Sequence, residues 1–360
     1  MEKKTLILHI GQSKTGASSI QKFCQKNRAN LAACGISYPS VKKNGVDVNL
    51  LEHNAFAETV CGISRYPYLA FEDYISQFQG GKILLSAESF WGTPHIWTLN
   101  SPDEFLSAHR AKLEKLREWT KNFHLEIILY LRHPLEWFKS SVSHIIRHEG
   151  LLGKKIYQSD EQLYELLKPH MDYLSLISLW NEVLQPDKFT IKAFDRQQLV
   201  NTDAVADFCS QIGYNGTPTK ELEENAGWPA EITLLKKELN ERSKPKWKEC
   251  AIIEILNKLA NSYSGAAYDI SEELQRKIIN DMGGQLEILA NKYQIIFAEC
   301  FVKSRRQIDK ETLVVTRKNF NSEYRSVRGW GAVMTQLFKR ALRQHFTTPY
   351  NLLKTAVGKA

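Results

Sequence analysis

The sequence is poor in cysteine, and the few it has are not grouped for chemistry. Cys24, Cys34, Cys61, Cys209, Cys250 and Cys300 are scattered over 360 residues. No CxxC pair occurs and no cysteine has a histidine partner at a metal-ligand interval, which argues against a disulfide framework or a zinc site and for reduced thiols. Long apolar runs are missing as well. No segment reaches the ~18 consecutive apolar residues that a membrane span needs. The first run, Thr5 to Ile10, is too short for a signal-peptide core and passes straight into a glycine loop, so a cytoplasmic protein is expected. Without a Gly/Ser-rich or Pro-rich linker or an internal repeat, the expectation is one domain plus appendages.

What remains is the composition of a folded enzyme, 43% hydrophobic and 24% charged, with ample material for one large core. The charge is concentrated at one end. Residues 303–360 hold thirteen Lys and Arg against three Asp and Glu, a surplus of ten, which leaves the first 302 residues at −2 within a whole-chain charge of +8. The division expected is therefore a near-neutral domain over 1–302 and a basic extension over 303–360. A basic tail on a neutral body points to local contact with an anionic partner, and charge alone gives little support for nucleic acid.

Thr5-Leu-Ile-Leu-His-Ile10 is a strand-length apolar run that breaks at Gly11, and Ile20, Phe23, Cys24 and Leu31 then follow at helical spacing. The opening reads strand, glycine loop, helix. Lys82 to Ser86 and Leu125 to Leu131 are further buried strands, the second followed by Pro134 at the first turn of a helix. Asp187 to Phe194 makes a fourth. Helices are expected over 203–212, 229–240, 248–262 and 272–293. Strands alternating with helices, then a helical C-terminal third, predict an α/β fold, a three-layer sandwich with a mostly parallel central sheet. Ligands of such sheets bind beyond the carboxyl ends of the strands, here near Gly11 to Gly16, Ser86 to Trp91 and Arg132 to Pro134.

The loop Gly11-Gln-Ser-Lys-Thr-Gly-Ala-Ser-Ser19 has the makings of a phosphate cradle. Glycines let backbone N–H groups turn inward, the helix N-terminus adds positive potential, Lys14 brings a full charge, and Ser18 and Ser19 bring hydroxyls. The nucleoside-triphosphate order GxxxxGK[ST] is absent. Gly16 is followed by Ala17, and the lysine sits inside the loop. The plainer alternative is an ordinary strand-to-helix turn with a solvated lysine.

Lys14-Thr-Gly-Ala-Ser-Ser-Ile-Gln21 after an N-terminal strand resembles the 5'-phosphosulfate loop of sulfotransferases that use 3'-phosphoadenosine 5'-phosphosulfate (PAPS), written KTGTTSLQ in bacterial members. Ala17 departs from the usual threonine, whereas Ser18 and Ser19 keep the next two hydroxyls. Leu129-Tyr-Leu-Arg-His-Pro-Leu-Glu-Trp-Phe-Lys-Ser-Ser141 resembles the second half of the signature, with Arg132 at a strand end and Ser140 two helical turns on. In the family these positions hold the 3'-phosphate, a dianion suited to an arginine fork and a hydroxyl donor. Weaker likeness covers Leu179 to Arg196 and Glu224 to Glu231.

The resemblance implies a P-loop-like sulfotransferase domain over 1–302, PAPS as co-substrate and no metal. It implies a donor site made of Gly11, Ser13, Lys14, Thr15, Gly16, Ala17, Ser18, Ser19, Arg132 and Ser140, and a carbohydrate or glycolipid acceptor. Lys14 would take the charge of the leaving phosphate. Carbohydrate-modifying members use a glutamate or a histidine as base, so Glu88, just past the strand 82–86, is the first candidate and His53 the second. Val333, Met334, Leu337, Phe338, Ala341 and Leu342 form an apolar stripe beside Lys339, Arg340 and Arg343. That pattern suits an amphipathic helix lying on an anionic membrane or docking on protein. Two rival functions stand beside this one: a P-loop kinase of a small molecule, and a non-catalytic binding protein on the same fold.

Overall fold

The computed structural model describes residues 3–328 apart from 40–41, 44–45, 48–51, 61–80, 94, 96–97, 100, 102, 153–154, 217–226, 242–244, 304–307 and 309. The chain opens with strand β1 (Thr5–His9), helices α1 (Ala17–Lys26) and α2 (Arg28–Ala33) and the short strand β2 (Ile36–Ser37). A two-residue ladder of β3 (Lys42–Lys43) against β4 (Val46–Asp47) precedes α3 (Glu52–Val60). Then come β5 (Lys82–Ser86), α4 (Glu88–Gly92), α5 (Glu104–Thr120) and β6 (His124–Leu131). They are followed by α6 (Pro134–Leu152), α7 (Asp160–Leu167), α8 (Tyr173–Leu184) and the last strand, β7 (Lys188–Ala193). Beyond it the regular elements among the described residues are all helices: α9 (Ala204–Ile212), α10 (Ala230–Asn240), α11 (Lys246–Ala260), α12 (Glu272–Tyr293) and α13 (Lys310–Arg328).

The chain divides into two compact units. The first comprises Met1–Pro134, Leu166–Glu223 and Asn280–Cys300; the second comprises Leu135–Glu165, Glu224–Ile279 and Phe301–Ala360.

The first unit holds a five-stranded sheet in the order β2-β5-β1-β6-β7, every pairing parallel. Its inner strands are the apolar runs of the sequence, as a sheet buried on both faces requires. Ile7, Leu84, Ile128 and Tyr130 cluster on one face with Ile20, Phe23 and Cys24 of α1 and Val205, Phe208, Cys209 and Ile212 of α9. Burying each large apolar side chain there stabilises the unit by about 1.5–3 kcal/mol. Strand alternation turns Leu6, Leu8, Ile83, Leu85, Ile127 and Leu129 to the opposite face, and all six are buried. Right-handed crossovers put α5, between β5 and β6, and α8, between β6 and β7, on that second face, where the two helices pack together. The result is an α/β three-layer arrangement.

The chain leaves β1 toward β2 and β5, and later crosses back over β1 to reach β6. The carboxyl end of β1 is thus the topological switch point, where ligands of open α/β sheets bind. Register brings His9 beside Ser86 and Ile128, and Leu131 beside Ala193, so the loops after these strands start from one edge.

The second unit is helical. Trp228, Ile232, Leu235, Ile253 and Leu256 of the α10–α11 region form its core together with Phe320 of α13. Lys236, fully buried, is neutralised by buried Glu249 at 2.9 Å. Residues 310–328, which the sequence places in a basic extension, therefore form a helix that buries an aromatic anchor in this unit. The apolar stripe from Val333 to Leu342 lies outside the described residues. Among the described residues no helix is long and apolar enough to cross a membrane.

Candidate functional site

The loop after β1 is tightly constrained. Ile10 N–H still bonds to Ile128 O at 3.0 Å, Gly11 and Gln12 are buried, and the Thr15 hydroxyl closes the turn on Gln12 O at 2.6 Å. A Cβ on Gly11 would stand 2.9 Å from His9 Nε2, so only glycine fits there. Gly16 is the left-handed N-cap of α1, with φ 75°. Its carbonyl accepts from Ser19 and Ile20 N–H, which starts the helix. A Cβ there would lie 3.2 Å from Ala204 Cβ and 3.3 Å from the Phe194 ring. Gly16→Ala should cost about 1–2 kcal/mol, the penalty of a side chain in the left-handed region, as read by denaturant titration. An unchanged midpoint would contradict the constraint.

Lys14 also adopts a left-handed conformation, φ 69°. A non-glycine residue held there costs energy that the surrounding structure must supply, a pattern that gathers at ligand sites. Ser13, Lys14, Ser18 and Ser19 are half-buried and Ala17 is buried. First-turn amides, one ammonium and three serine hydroxyls thus border the N-terminal end of α1, the electrostatic requirement of an anion site.

Across from this loop stands Glu88, the first residue of α4. Ala87 N–H bonds to His9 O at 3.0 Å, which ties the end of β5 to β1 and brings Glu88 to the loop. The Ser18 hydroxyl donates to Glu88 Oε1 at 3.3 Å. Burial pushes the Glu88 carboxyl above its ordinary pKa, and the Lys14 ammonium and the Ser18 hydroxyl pull it back. The short helix is held at both ends. Asn54 Oδ1 accepts from Ser89 N–H at 3.0 Å and Glu58 from the Ser89 hydroxyl at 3.4 Å, while buried Lys112 donates to Phe90 O at 2.6 Å and Thr93 O at 2.5 Å.

His53 has a different task. Ser86 N–H is a donor, so His53 Nδ1 accepts it at 3.1 Å, and Nε2–H is left to donate to Pro39 O at 3.1 Å. Both ring nitrogens are engaged by backbone, and burial lowers the imidazole to about 4. That geometry makes His53 a tie between β5 and the chain after β2, with no nitrogen left to take a substrate proton.

At the end of β6, Arg132 is half-buried. Its N–H donates to Gln12 Oε1 at 3.0 Å and its carbonyl accepts from the Tyr173 hydroxyl at 2.8 Å. Gln12 Nε2 donates to the same hydroxyl at 2.9 Å. Ser140, half-buried on α6, belongs to the second unit, whereas Arg132 belongs to the first.

The first unit thus gathers Lys14, Ser18 and Glu88, and ties the loop through Gln12 to the Arg132 peptide. Gln12, Asn54, Lys112 and Tyr173 are contributors that sequence reasoning passed over. Only Gln12 carried a signal, as a polar residue inside the glycine loop. No protein-family model matches this chain, and no curated protein matches it.

Proposed function

We propose that this protein is a sulfotransferase on a P-loop-like fold, moving a sulfuryl group from PAPS to a hydroxyl or amine of a carbohydrate-type acceptor. The observation that carries the reading is the meeting of Lys14 and Ser18, from a loop built for an anion, with the half-buried carboxylate of Glu88. A group-transfer site needs both: a cradle for the leaving phosphate and a proton acceptor beside it. The fit to the donor rests on the chemistry of the loop. Any Cβ at Gly11 would intrude on His9, and the cation and hydroxyls offer bonds to a phosphosulfate without a residue order for magnesium.

In the reaction, the acceptor oxygen or nitrogen attacks sulfur as the bond from sulfur to the bridging phosphate oxygen breaks. Lys14 and the first-turn amides of α1 neutralise the charge gathering on the 5'-phosphate of the leaving 3'-phosphoadenosine 5'-phosphate. Glu88 accepts the acceptor's proton. Arg132 receives the 3'-phosphate, which ATP lacks, and this weighs against the kinase reading. The carbohydrate class of the acceptor rests on the family resemblance alone.

The test is nucleotide selectivity. 3'-Phosphoadenosine 5'-phosphate should bind much more tightly than AMP or ATP, with no dependence on magnesium, and Arg132→Ala should weaken its binding by about 1.5–3 kcal/mol. Equal affinities for AMP and the 3'-phosphorylated nucleotide in calorimetry would remove the basis of the assignment.

A further inference from the structure

We infer that Gln12 and Tyr173 set the selectivity of the site for a 3'-phosphorylated nucleotide, by holding the peptide of Arg132 without touching the ligand. The inference rests on the reading of Arg132 as the 3'-phosphate residue. Pairing of β6 with β7 ends at Leu131 and Ala193, so the Arg132 N–H and C=O lie beyond the ladder and need other partners. A closed ring of three hydrogen bonds supplies them.

The direction of every bond in that ring is forced. Arg132 N–H can only donate, so the Gln12 oxygen faces it at 3.0 Å and the Gln12 NH₂ is turned to the Tyr173 hydroxyl at 2.9 Å. An NH₂ can only donate, so the hydroxyl accepts from it and gives its own proton to Arg132 O at 2.8 Å. Gln12 and Tyr173 are 1% and 0% exposed, so water offers no replacement partners. Removing one member leaves buried polar groups unpaired and frees the Arg132 backbone dihedrals.

Those dihedrals aim the Arg132 Cβ, and with it the guanidinium. A fork that must meet a phosphate dianion loses its geometric match when its stem is loosened. AMP makes no use of that fork. The ring therefore bears on the 3'-phosphate, and much less on the 5'-phosphate, which the loop amides and Lys14 hold. Tyr173 opens α8, 161 residues from Gln12, so the phosphosulfate loop and the 3'-phosphate residue are braced against one common post. Gln12 and Tyr173 are positioning residues.

The experiment compares dissociation constants for 3'-phosphoadenosine 5'-phosphate and AMP by calorimetry in the wild type, Tyr173→Phe and Gln12→Met. Tyr173→Phe keeps the ring and removes only the hydroxyl. Its ratio of AMP to 3'-phosphorylated nucleotide constants should fall about tenfold, the size of one lost charge-directing hydrogen bond, with the AMP constant moving less than about twofold on the same ground. Gln12→Met should lower the ratio similarly, and the double variant should add little, because both break one ring. A general structural role would weaken both nucleotides in parallel. A folded Tyr173→Phe or Gln12→Met that keeps the wild-type ratio overturns the inference alone, whereas a wild type without preference for the 3'-phosphate overturns the functional reading and the inference with it.

Discussion

Glu88→Gln should bind the donor nucleotide at least as tightly as the wild type does and lose roughly 10²-fold or more in turnover, the usual scale of a general-base contribution. The amide is nearly isosteric, so it can still accept from Ser18 and keep α4 in place. What it cannot do is take a proton from an acceptor. The electrostatics add a second readout. With no nucleotide bound, the Lys14 ammonium and the Ser18 hydroxyl, 3.3 Å away, favour the Glu88 carboxylate against the burial that disfavours it. A bound phosphate that engages Lys14 and Ser18 brings its own negative charge and removes that support, so the carboxyl pKa rises on binding.

The neighbours of α4 do not reverse the sign. Glu58 is a second carboxylate, His53 is held neutral, and Lys112 is bonded to the far end of the helix. Nucleotide binding should therefore take up protons at mildly acidic pH, measurable by calorimetry in buffers of different ionisation enthalpy, and Glu88→Gln should abolish the uptake. Near-full turnover in Glu88→Gln would remove Glu88 from the role of base.

Acid should unfold the first unit well before ordinary carboxylate titration would. His9, His53, His95, His109 and His170 all lie in that unit, and burial holds each imidazole neutral. His9 and His170 are lowered to about 3, His53 and His95 to about 4, and His109 well below its usual value. Lys112 adds to the lowering at His95, His109 and His170. In the unfolded chain each histidine takes a proton near pH 6.5, so between there and the folded pKa the unfolded state binds more protons and stability falls as pH falls.

At pH 5 each of the four histidines lowered to about 3 or 4 costs about 2 kcal/mol relative to pH 7, at about 1.4 kcal/mol per pKa unit. The four together approach the whole stability of a typical domain, roughly 5–15 kcal/mol, and His109 acts in the same direction. Raised carboxyls at Glu58 and Glu88 oppose this in part, because they favour the folded state in acid. Denaturant titrations at pH 7, 6 and 5 should show a steep loss of stability, carried by the unit that holds the sheet. A midpoint that stays constant over that range would contradict the burial of these rings as neutral groups.

The sequence by itself determined most of the local elements. Strand-length, mostly apolar runs at 5–10, 82–86 and 125–131, bounded by polar or glycine turns, read as strands buried on both faces, and glycine with an internal lysine and serines between strand and helix reads as a polar turn. Glu88 was legible as a carboxyl-edge residue because it directly follows such a run. Even so, the helix expected after the glycine loop, through Ile20 to Leu31, is two helices, broken at Asn27, whose side chain turns back onto Phe23 O. Tertiary structure alone decided what these pieces meet. The order β2-β5-β1-β6-β7 is a matter of long-range pairing, and it is this order that places Glu88 against Ser18, 70 residues away. The same pairing occupies both nitrogens of His53 and closes the ring of Gln12, Arg132 and Tyr173. A helix or strand is written in residues three, four or two positions apart, which share one face of one element. A hydrogen bond across 161 residues depends on how whole elements stack and register, and the periodicity of neither partner contains that.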